Sequence, residues 1–404
     1  MVYESRVQAV ILAAGRGSRM TQLLGTVVPK CLVPVCGNPL VYYPLKSLEA
    51  VGFRGKDILV IIQDRDDVRK ALISVADRLG LTGLDILTVP EDSEDFGTAE
   101  SIRIALNSKK LTRDALLISC DTIADIPFRE LFDFHEIKES ELTTLFVSPL
   151  QIPENVKLPG PKSKIKHERD IVGVKPGTNN LVYMASEADC EEEVKLPVST
   201  LKSCPHTKIL TGLVDTHVYL IKNSLLNRLL AATAERQAMR KNFISFKGEF
   251  MPFLIQNQFL PDFSEYTFKF FACIHPNYRC VRVNSIPSFA LANKSGDWIK
   301  DVFLNGTIPK SKCKIARGSK LWGTTLGEQC NVEEKVKLTN CIALDGVIIK
   351  AGATVEGCIL SSHSVIGSNA VLKECLVGPR YQVPAEGRYT NEQLSVMEEA
   401  YFGD

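Results

Sequence analysis

Short apolar runs alternate with amphipathic stretches along the first third of the chain. Four runs are rich in aliphatic residues and end at polar residues or glycine, as buried strands of a parallel sheet do; they lie at 7–13, 57–63, 84–89 and 115–120. Apolar residues at helical spacing lie between them, at 40–51, 68–79 and from 97 onward. This alternation predicts a doubly wound α/β sheet, in which ligands bind beyond the carboxyl ends of the strands.

The middle of the chain predicts further strands and helices around one interruption. A clear strand covers 211–220, and helices are expected near 224–235 and 247–258. Residues 151–169 interrupt the pattern with three prolines, a glycine and five basic residues. We expect a solvated surface loop there, and contact with RNA or an acidic partner is the alternative.

A repeat of seventeen residues sets the last part of the chain, from about 313, apart. Its matching positions are aliphatic or cysteine: Val332, Ile349 and Ile366; Leu338, Val355 and Leu372; and Cys341, Cys358 and Cys375. Hexads with one five-residue side describe a three-sided coil, so the spacing predicts a parallel β-helix that stacks these side chains inside. The three cysteines are therefore expected in the core, neither as metal ligands nor as disulfides.

The composition of the 404-residue chain is that of an ordinary globular protein, with 24% charged and 45% apolar residues. A net charge of +1 gives no bulk attraction to nucleic acid or membranes. No apolar run approaches the roughly 20 residues that span a bilayer, and the polar start, residues 1–6, predicts no signal peptide. The twelve cysteines are dispersed without a Cys-x-x-Cys pair, which favours reduced thiols in the cytosol or nucleus, and the six histidines show no zinc spacing.

A glycine loop directly follows the first strand and carries the candidate chemistry. Gly15 and Gly17 allow backbone N–H groups to approach a phosphate, and Arg16 and Arg19 add positive charge. The loop lacks the third glycine of a dinucleotide fingerprint, and no Gly-Lys-Ser/Thr follows to make a P-loop. On its own, this motif fits either a tight turn or a nucleotide site. Asp121 follows the fourth strand and is expected at the same edge of the sheet.

Several sequence strings occur in an order typical of one protein superfamily: LAAGRGSRM, VPKCLVPVCGNPL, FGTAESIR and SCDTIADIP, followed by the β-helix repeat. In these strings the chain resembles the sugar-phosphate nucleotidyltransferases. MASEADCEEEV and TGLVDTHVYLIKNSLL are not part of the general pattern, and in them the chain resembles the gamma subunits of eukaryotic translation initiation factor 2B, a guanine-nucleotide exchange factor. The resemblance covers the chain from Val7 to Val377.

This resemblance implies a fold of two domains. The first is a doubly wound, nucleotidyltransferase-like (Rossmann-like) α/β domain at 1–290, followed by a linker at 291–312. The second is a left-handed parallel β-helix of hexapeptide repeats at 313–378, and a C-terminal tail is expected at 379–404.

The resemblance also implies a site. Gly15, Gly17 and Arg19 would face the nucleotide phosphates, Lys30 the sugar phosphate, and Asp121 would bind one Mg²⁺. In the superfamily's reaction, cations and a metal hold the negative charge that develops when a sugar phosphate attacks an α-phosphorus.

Departures from the superfamily pattern weaken this site. A second metal ligand, an aspartate just before a Gly-x-Pro turn, is expected where this chain has Val283, and valine cannot ligate Mg²⁺; Asn284 is one residue away. Ser18 and Cys31 replace a threonine and a proline. We therefore expect a degenerate site with no catalytic residue, no bound metal and no cofactor beyond vestigial nucleotide or Mg²⁺ binding.

Asp215 and His217 form a second candidate pair. They alternate along the strand at 211–220, so both are expected on one face of the sheet. The alternatives are an acid–base pair and a hydrogen-bonded structural pair, and the structural pair is favoured because no nucleophile is identifiable near them.

The function that the resemblance implies is that of a non-transferase gamma subunit in the cytosol. It would support the epsilon subunit in GDP/GTP exchange on translation initiation factor 2, together with the alpha, beta and delta subunits, without direct contact to nucleic acid or membranes. One alternative is an active cytosolic mannose-1-phosphate guanylyltransferase, which Val283 and the altered loop disfavour. The other is a regulatory protein that keeps the glycine loop as a nucleotide sensor.

Overall fold

The computed structural model describes residues 6–25, 28–90, 97–151, 158–161, 168–190, 193–230, 243–260, 268–294, 297–305 and 312–395. Most of the predicted loop at 151–169 and the end of the predicted helix at 224–235 lie outside these residues. The chain divides into two compact units. The first contains Met1–Gly15, Val41–Leu150 and His167–Arg282, and the second contains Arg16–Leu40, Gln151–Lys166 and Val283–Asp404.

A nine-stranded sheet forms the centre of the first unit. Its strands, numbered in chain order, are β1 (Val7–Leu12), β2 (Ile58–Gln63), β3 (Asp85–Val89), β4 (Asp114–Ser119), β5 (Leu142–Val147), β6 (Asp170–Lys175), β7 (Asn180–Ser186), β8 (Lys208–Ile221) and β9 (Phe270–Ile274). Their order is β3-β2-β1-β4-β8-β5-β9-β7-β6. β1 to β4 pair in parallel, as predicted for a doubly wound sheet.

β8 changes the direction of the sheet. This strand runs antiparallel to β4, β5 and β6, whereas β5 and β9 pair in parallel. The sequence predicts a strand here but not its direction, because an apolar run looks the same in parallel and antiparallel pairing. The result is a parallel half that resembles a Rossmann fold joined to a mixed half.

Helices cover the sheet of the first unit. Seven α-helices are described: Tyr42–Ala50, Asp66–Arg78, Thr98–Asn107, Phe128–Ile137, Val198–Ser203, Asn223–Leu229 and Met251–Asn257. Shorter 3₁₀ turns cover Gly55–Asp57 and Glu187–Asp189. The helix predicted at 247–258 begins as a π-helix, Phe246–Phe250. Its Phe246 and Phe250 join the aliphatic residues of the sheet in one core.

Two short strands lie beside this sheet and position the candidate site. Thr122–Ala124 pairs antiparallel with Cys280–Arg282. In this register Arg282 is opposite Thr122, the residue after Asp121. Residues far apart in the sequence thereby meet at the carboxyl end of β4.

The second unit begins with short elements: 3₁₀ turns at Ser18–Met20 and Lys30–Leu32, one α-helical turn at Thr21–Leu24, and a hairpin of Pro34–Val35 with Asn38–Pro39. Two helices, Ile286–Lys294 and Asp297–Leu304, cover much of the segment predicted as a linker. In the part of the chain that the structure describes, no helix has the length and apolar content needed to cross a bilayer.

Stacked parallel strands form the rest of the second unit, consistent with a β-helix. Three five-stranded sheets are present. The first sheet contains Lys314–Ile315, Asn331–Val332, Ile348–Ile349, Val365–Ile366 and Gln382–Val383. The second contains Lys320–Trp322, Lys337–Thr339, Thr354–Glu356, Val371–Lys373 and Arg388–Thr390. The third contains Thr325–Leu326, Ile342–Ala343, Ile359–Leu360, Leu376–Val377 and Gln393–Leu394.

The strand register confirms the repeat of seventeen residues. Val332 pairs with Ile349, which pairs with Ile366, and the column that begins at Leu338 pairs in the same way. In the second to fourth turns, the residues of these columns and the three predicted core cysteines are at most 1% exposed. All three cysteines are free thiols, so their predicted core position is confirmed.

The coil continues beyond the boundary predicted at residue 378. A fifth turn, Gln382 to Leu394, comes from the segment that the sequence analysis assigned to a tail. One corner of every turn holds a residue in the left-handed backbone region, for example Asn340 at φ 51° and Gly357 at φ 68°. Glycine and asparagine adopt this conformation most readily, so the corners help to fix the length of the repeat.

We expect Leu338→Ala to lower the free energy of unfolding of the coil by about 2–5 kcal/mol, because it leaves a cavity inside the stack. The measurement is a urea titration followed by circular dichroism. Lys337→Ala, the neighbouring exposed position in the same strand, is the control and should change stability by less than about 0.5 kcal/mol. Equal midpoints for both variants would contradict the assignment of Leu338 to the core.

Candidate functional site

Gly15 and Asp121 follow two neighbouring parallel strands of the first unit. β1 and β4 pair in register up to Leu12 and Ser119. The backbone N–H of Cys120 donates to the carbonyl of Leu12 over 3.1 Å, which keeps the two strand ends together. Gly15 and Asp121 therefore both follow the carboxyl edge of the sheet, where the sequence predicts a ligand site.

The carboxylate of Asp121 is buried and accepts hydrogen bonds from this chain's own side chains. Asp121 is 3% exposed. The Ser119 hydroxyl donates to its Oδ1 over 2.7 Å, and Nη2 of Arg282 donates to its Oδ2 over 3.1 Å. An arginine thus supplies the positive charge beside this carboxylate.

Arg282 bridges two carboxylates. Its Nη1 donates to Oε2 of Glu168 over 2.5 Å, while Nη2 binds Asp121. Burial disfavours the charged guanidinium, but the carboxylates of Asp121 and Glu168 outweigh burial and raise the pKa of Arg282 above its ordinary value. We call Asp121, Glu168 and Arg282 the arginine bridge.

The residues at this position do not fit a magnesium ion. Mg²⁺ requires oxygen ligands in near-octahedral geometry. Both oxygens of Asp121 accept hydrogen bonds from Ser119 or Arg282, and Val283, where the resemblance leads us to expect a second ligand, has no side-chain oxygen. Among the described residues, no group of three acidic, histidine or cysteine side chains has the geometry of a metal site.

The rest of the glycine loop belongs to the second unit. Gly17 has φ 73°, and a Cβ there would lie 3.2 Å from Cβ of Lys30, so backbone conformation and packing both require glycine. Arg19 is exposed in the 3₁₀ turn Ser18–Met20, and Lys30 is half-buried. Only one α-helical turn, Thr21–Leu24, follows, so the loop does not open a long helix whose dipole could hold a phosphate.

A second buried cluster surrounds Asp215 on β8. The predicted sharing of one face with His217 by strand alternation is wrong, because a bulge between Asp215 and Tyr219 places His217 at φ 56°. The predicted hydrogen bond is present, but the backbone N–H of His217 donates it to Oδ1 of Asp215 over 2.8 Å. The Tyr219 hydroxyl donates to Oδ2 of Asp215 over 2.6 Å.

Lys247 and Asp170 complete this cluster. Nζ of Lys247, on the π-helix, lies 2.9 Å from Oδ1 of Asp170 and 3.8 Å from Oδ2 of Asp215. The backbone N–H of Asp215 donates to Oδ2 of Asp170 over 2.9 Å. Burial raises the pKa of Asp215; Lys247 opposes this effect, and the charge of Asp170 adds to it.

The two clusters are linked through the short strand pairing. The Thr122 hydroxyl donates to the carbonyl of Thr216 in the bulge over 2.9 Å. Cys280 lies in the same pairing, but burial raises the pKa of its thiol to about 12, so it is not a nucleophile at neutral pH. The arrangement pairs buried charges with one another instead of presenting a reactive group to a substrate.

Sequence reasoning missed Arg282, Glu168, Asp170 and Lys247. A usable signal existed for Arg282, because it directly precedes Val283, where the expected metal ligand is absent. Asp170 and Lys247 meet only through the pairing of β6 with β8 and the unpredicted π-helix. No spacing in the sequence indicates that contact.

Known protein families match both parts of the chain. Residues 9–128 match the MobA-like NTP transferase domain, and residues 305–395 match the GMPPB C-terminal domain. The fold and the matched residues define the class: a protein with a nucleotidyltransferase domain followed by a coil of parallel strands.

Comparison with individual proteins identifies the family within this class. The chain is 30% identical to the translation initiation factor eIF2B subunit gamma of Caenorhabditis elegans over 72% of its own length and 68% of the relative's. It is 24% identical to the eIF2B subunit gamma of Schizosaccharomyces pombe over 97% and 90% of the two chains. A probable mannose-1-phosphate guanylyltransferase 2 of Oryza sativa is 23% identical over 92% and 90%. The chain belongs to the family of translation initiation factor eIF2B gamma subunits.

Replacement of Arg282 by alanine should lower the free energy of unfolding by about 3–5 kcal/mol, because it leaves the buried Asp121 carboxylate without its cation. Arg279→Ala is the matched control. Its partner Asp125 is 3.7 Å away and both side chains are more than a third exposed, so less than about 1 kcal/mol is expected. The measurement is a denaturant titration.

The double variant Arg282→Met/Asp121→Asn tests the electrostatic origin of this effect. It removes both charges and should recover part of the stability that Arg282→Ala loses. If Arg282→Ala and Arg279→Ala destabilise the protein equally, the arginine bridge does not have the role described above.

Asp215→Asn should change how stability depends on pH. Because burial raises the pKa of Asp215, the folded state binds this proton more tightly than the unfolded state does. The resulting stability is fully present below the ordinary pKa of 3.8 and is lost as pH rises through the folded pKa. Between the two pKa values, the stability of wild type minus that of Asp215→Asn should fall by about 1.4 kcal/mol per pH unit. Urea titrations at a series of pH values measure this difference, and one that is constant or rises with pH would contradict the assignment.

Proposed function

We propose that this chain is a non-transferase gamma subunit of a translation initiation factor 2B complex. In this role it supports the epsilon subunit in GDP/GTP exchange on translation initiation factor 2 and thereby regulates translation initiation. Membership of the eIF2B gamma family supports the proposal. The chain itself carries no transferase chemistry, and its nucleotidyltransferase site is degenerate.

The arginine bridge is the observation that carries this proposal. A nucleotidyltransferase needs Asp121 available to a divalent cation that steadies charge on the phosphates. Here the Arg282 guanidinium lies against that carboxylate, 3.1 Å from its Oδ2, and Val283 offers no second ligand. The guanidinium of Arg282 is a permanent positive charge at this position. Such a charge suits a domain that keeps its fold for assembly and no longer binds and releases metal and nucleotide.

The glycine loop is proposed as a remnant of a nucleotide site. The loop keeps the residue types of a phosphate-binding loop at Gly15, Gly17, Arg19 and Lys30. The packing of Gly17 against Lys30, however, already explains the glycine at position 17 without a ligand. Nucleotide binding by these residues, if retained, is vestigial and without turnover.

Partners follow from the same family membership. We propose the epsilon subunit as the direct partner and the alpha, beta and delta subunits as further members of the complex, with the cytosol as the location. The coil is proposed to be a left-handed β-helix of hexapeptide repeats. Alternation of apolar columns with left-handed corners at a spacing of seventeen residues supports this geometry.

The alternative function is that of a mannose-1-phosphate guanylyltransferase. Similarity to the Oryza sativa enzyme along 92% of this chain favours it. The occupied Asp121 carboxylate and Val283 count against it, because both metal positions would have to be rebuilt before catalysis.

Two activities of the purified chain test the proposal. We expect no pyrophosphorolysis of GDP-mannose, UDP-sugars or ADP-sugars with Mg²⁺, and faster release of GDP from translation initiation factor 2 only when the epsilon subunit is also present. The measurements are release of labelled nucleoside triphosphate and loss of a fluorescent GDP analogue.

Asp121→Ala separates the outcomes of this test. Turnover of a nucleotide sugar that disappears in this variant would establish the transferase and overturn the proposal. No turnover, together with GDP release that is unchanged by adding the chain to the epsilon subunit, would also overturn it.

A further inference from the structure

Among the described residues, residues 312–327 form the first turn of the coil; we call it the open end. Ile315 belongs to the column of Val332, yet Ile315 is 51% exposed and Val332 is 1% exposed. The last turn differs, because Val383 in the same column is 3% exposed. The column of Val332 is therefore accessible at Ile315 in the first turn and buried at Val383 in the last turn.

The backbone at the open end belongs to edge strands. Neighbouring turns exchange hydrogen bonds in both directions: the N–H of Lys314 donates to the carbonyl of Cys330 over 2.9 Å, and the N–H of Asn340 donates to the carbonyl of Trp322 over 2.8 Å. Among the described residues, each strand of the first turn is the first strand of its sheet, so its other edge presents both N–H and C=O groups. A ligand for this edge must therefore supply both donors and acceptors, as the backbone of an extended chain does.

Positive charge surrounds these carbonyls. Residues 312–327 contain four basic residues and no acidic residue, although the whole chain has a net charge of only +1; they are Lys312, Lys314, Arg317 and Lys320. All four side chains belong to exposed residues. Trp322 lies among them and is 77% exposed. The open end thus combines apolar surface, the backbone of edge strands and cations.

We propose that the open end is a docking surface for an acidic, extended segment of a partner polypeptide. The backbone N–H and C=O groups of the segment bind those of the edge strands, as in strand addition to a sheet edge. Its carboxylates pair with the lysines and the arginine, and its apolar side chains cover Ile315 and Trp322. This complementarity of charge, backbone hydrogen bonding and apolar surface specifies the chemistry of the partner.

Two other occupants fit less well. A second copy of this chain, docked by its own open end, would bring the same four cations, and like charges repel. Single-stranded RNA would offer phosphates and bases that stack on Trp322, but its backbone has no alternating N–H and C=O groups to pair with the edge strands. The backbone of the edge strands therefore favours a polypeptide.

Fluorescence of the full chain tests the proposal. Trp322 is exposed, whereas the other tryptophan, Trp298, is 8% exposed, so a change of emission on binding reports the open end. The probe is a synthetic peptide of alternating glutamate and valine. We expect a blue shift and saturable binding, weakened roughly tenfold or more by Lys320→Glu through charge repulsion.

Arg388→Glu is the matched control. Arg388 occupies the column of Lys320 four turns further on, and its charge reversal should leave binding unchanged. A peptide affinity that both variants reduce equally would overturn the proposal, because the attraction would then be non-specific.

Two further results would overturn it in favour of another occupant. One is binding of poly(U) RNA with a shift of Trp322 emission while the acidic peptide does not bind. The other is self-association of the chain that shifts this emission without any added ligand. Neither experiment measures GDP exchange or nucleotide-sugar turnover, so this inference and the proposed function can fail separately.

Discussion

The candidate site of the first unit depends on the contact of Arg282 with Asp121 and Glu168. Three buried or half-buried charges must be paired if the strand end is to stay folded, since an isolated buried carboxylate is costly. The pairing of Thr122–Ala124 with Cys280–Arg282 brings the guanidinium of Arg282 close to Asp121. A hydrogen bond from Thr122 connects this strand pair to the bulge in β8. The local secondary structure and the charge balance at this end of the sheet thus depend on one side chain.

The coil depends on a different constraint, the match between side-chain size and the repeat of seventeen residues. Aliphatic and cysteine side chains stack in columns, and free cysteines serve as small apolar residues there. A residue in the left-handed backbone region recurs at one corner every seventeen residues, as at Asn340, Gly357 and Glu374, and this keeps every turn the same length. These short-range rules make the coil regular where the first unit relies on contacts between distant segments.

This difference explains how much could be predicted from the sequence. The columns of Val332 and Leu338 appear in the sequence as a repeat of fixed spacing, and β1 to β4 appear as apolar runs. Both features were therefore predictable. The direction of β8, the bulge at His217 and the contact of Lys247 with Asp170 arise from tertiary pairing and leave no local pattern. At the site, the sequence shows that Val283 lacks a ligand atom, but the contact of the Arg282 guanidinium with Asp121 was not predictable, because it depends on the register of two short strands.

Hydrogen bonds between the turns of the coil run in both directions and join neighbouring turns: the N–H of Lys314 donates to the carbonyl of Cys330, and the N–H of Asn340 donates to the carbonyl of Trp322. A turn therefore meets only its two neighbours, as in other solenoid proteins. Insertion or deletion of a whole turn preserves every column, whereas a change of one residue displaces all the columns beyond it. The length of the coil can therefore change in evolution only by whole turns. Related proteins that differ in coil length should differ by whole turns.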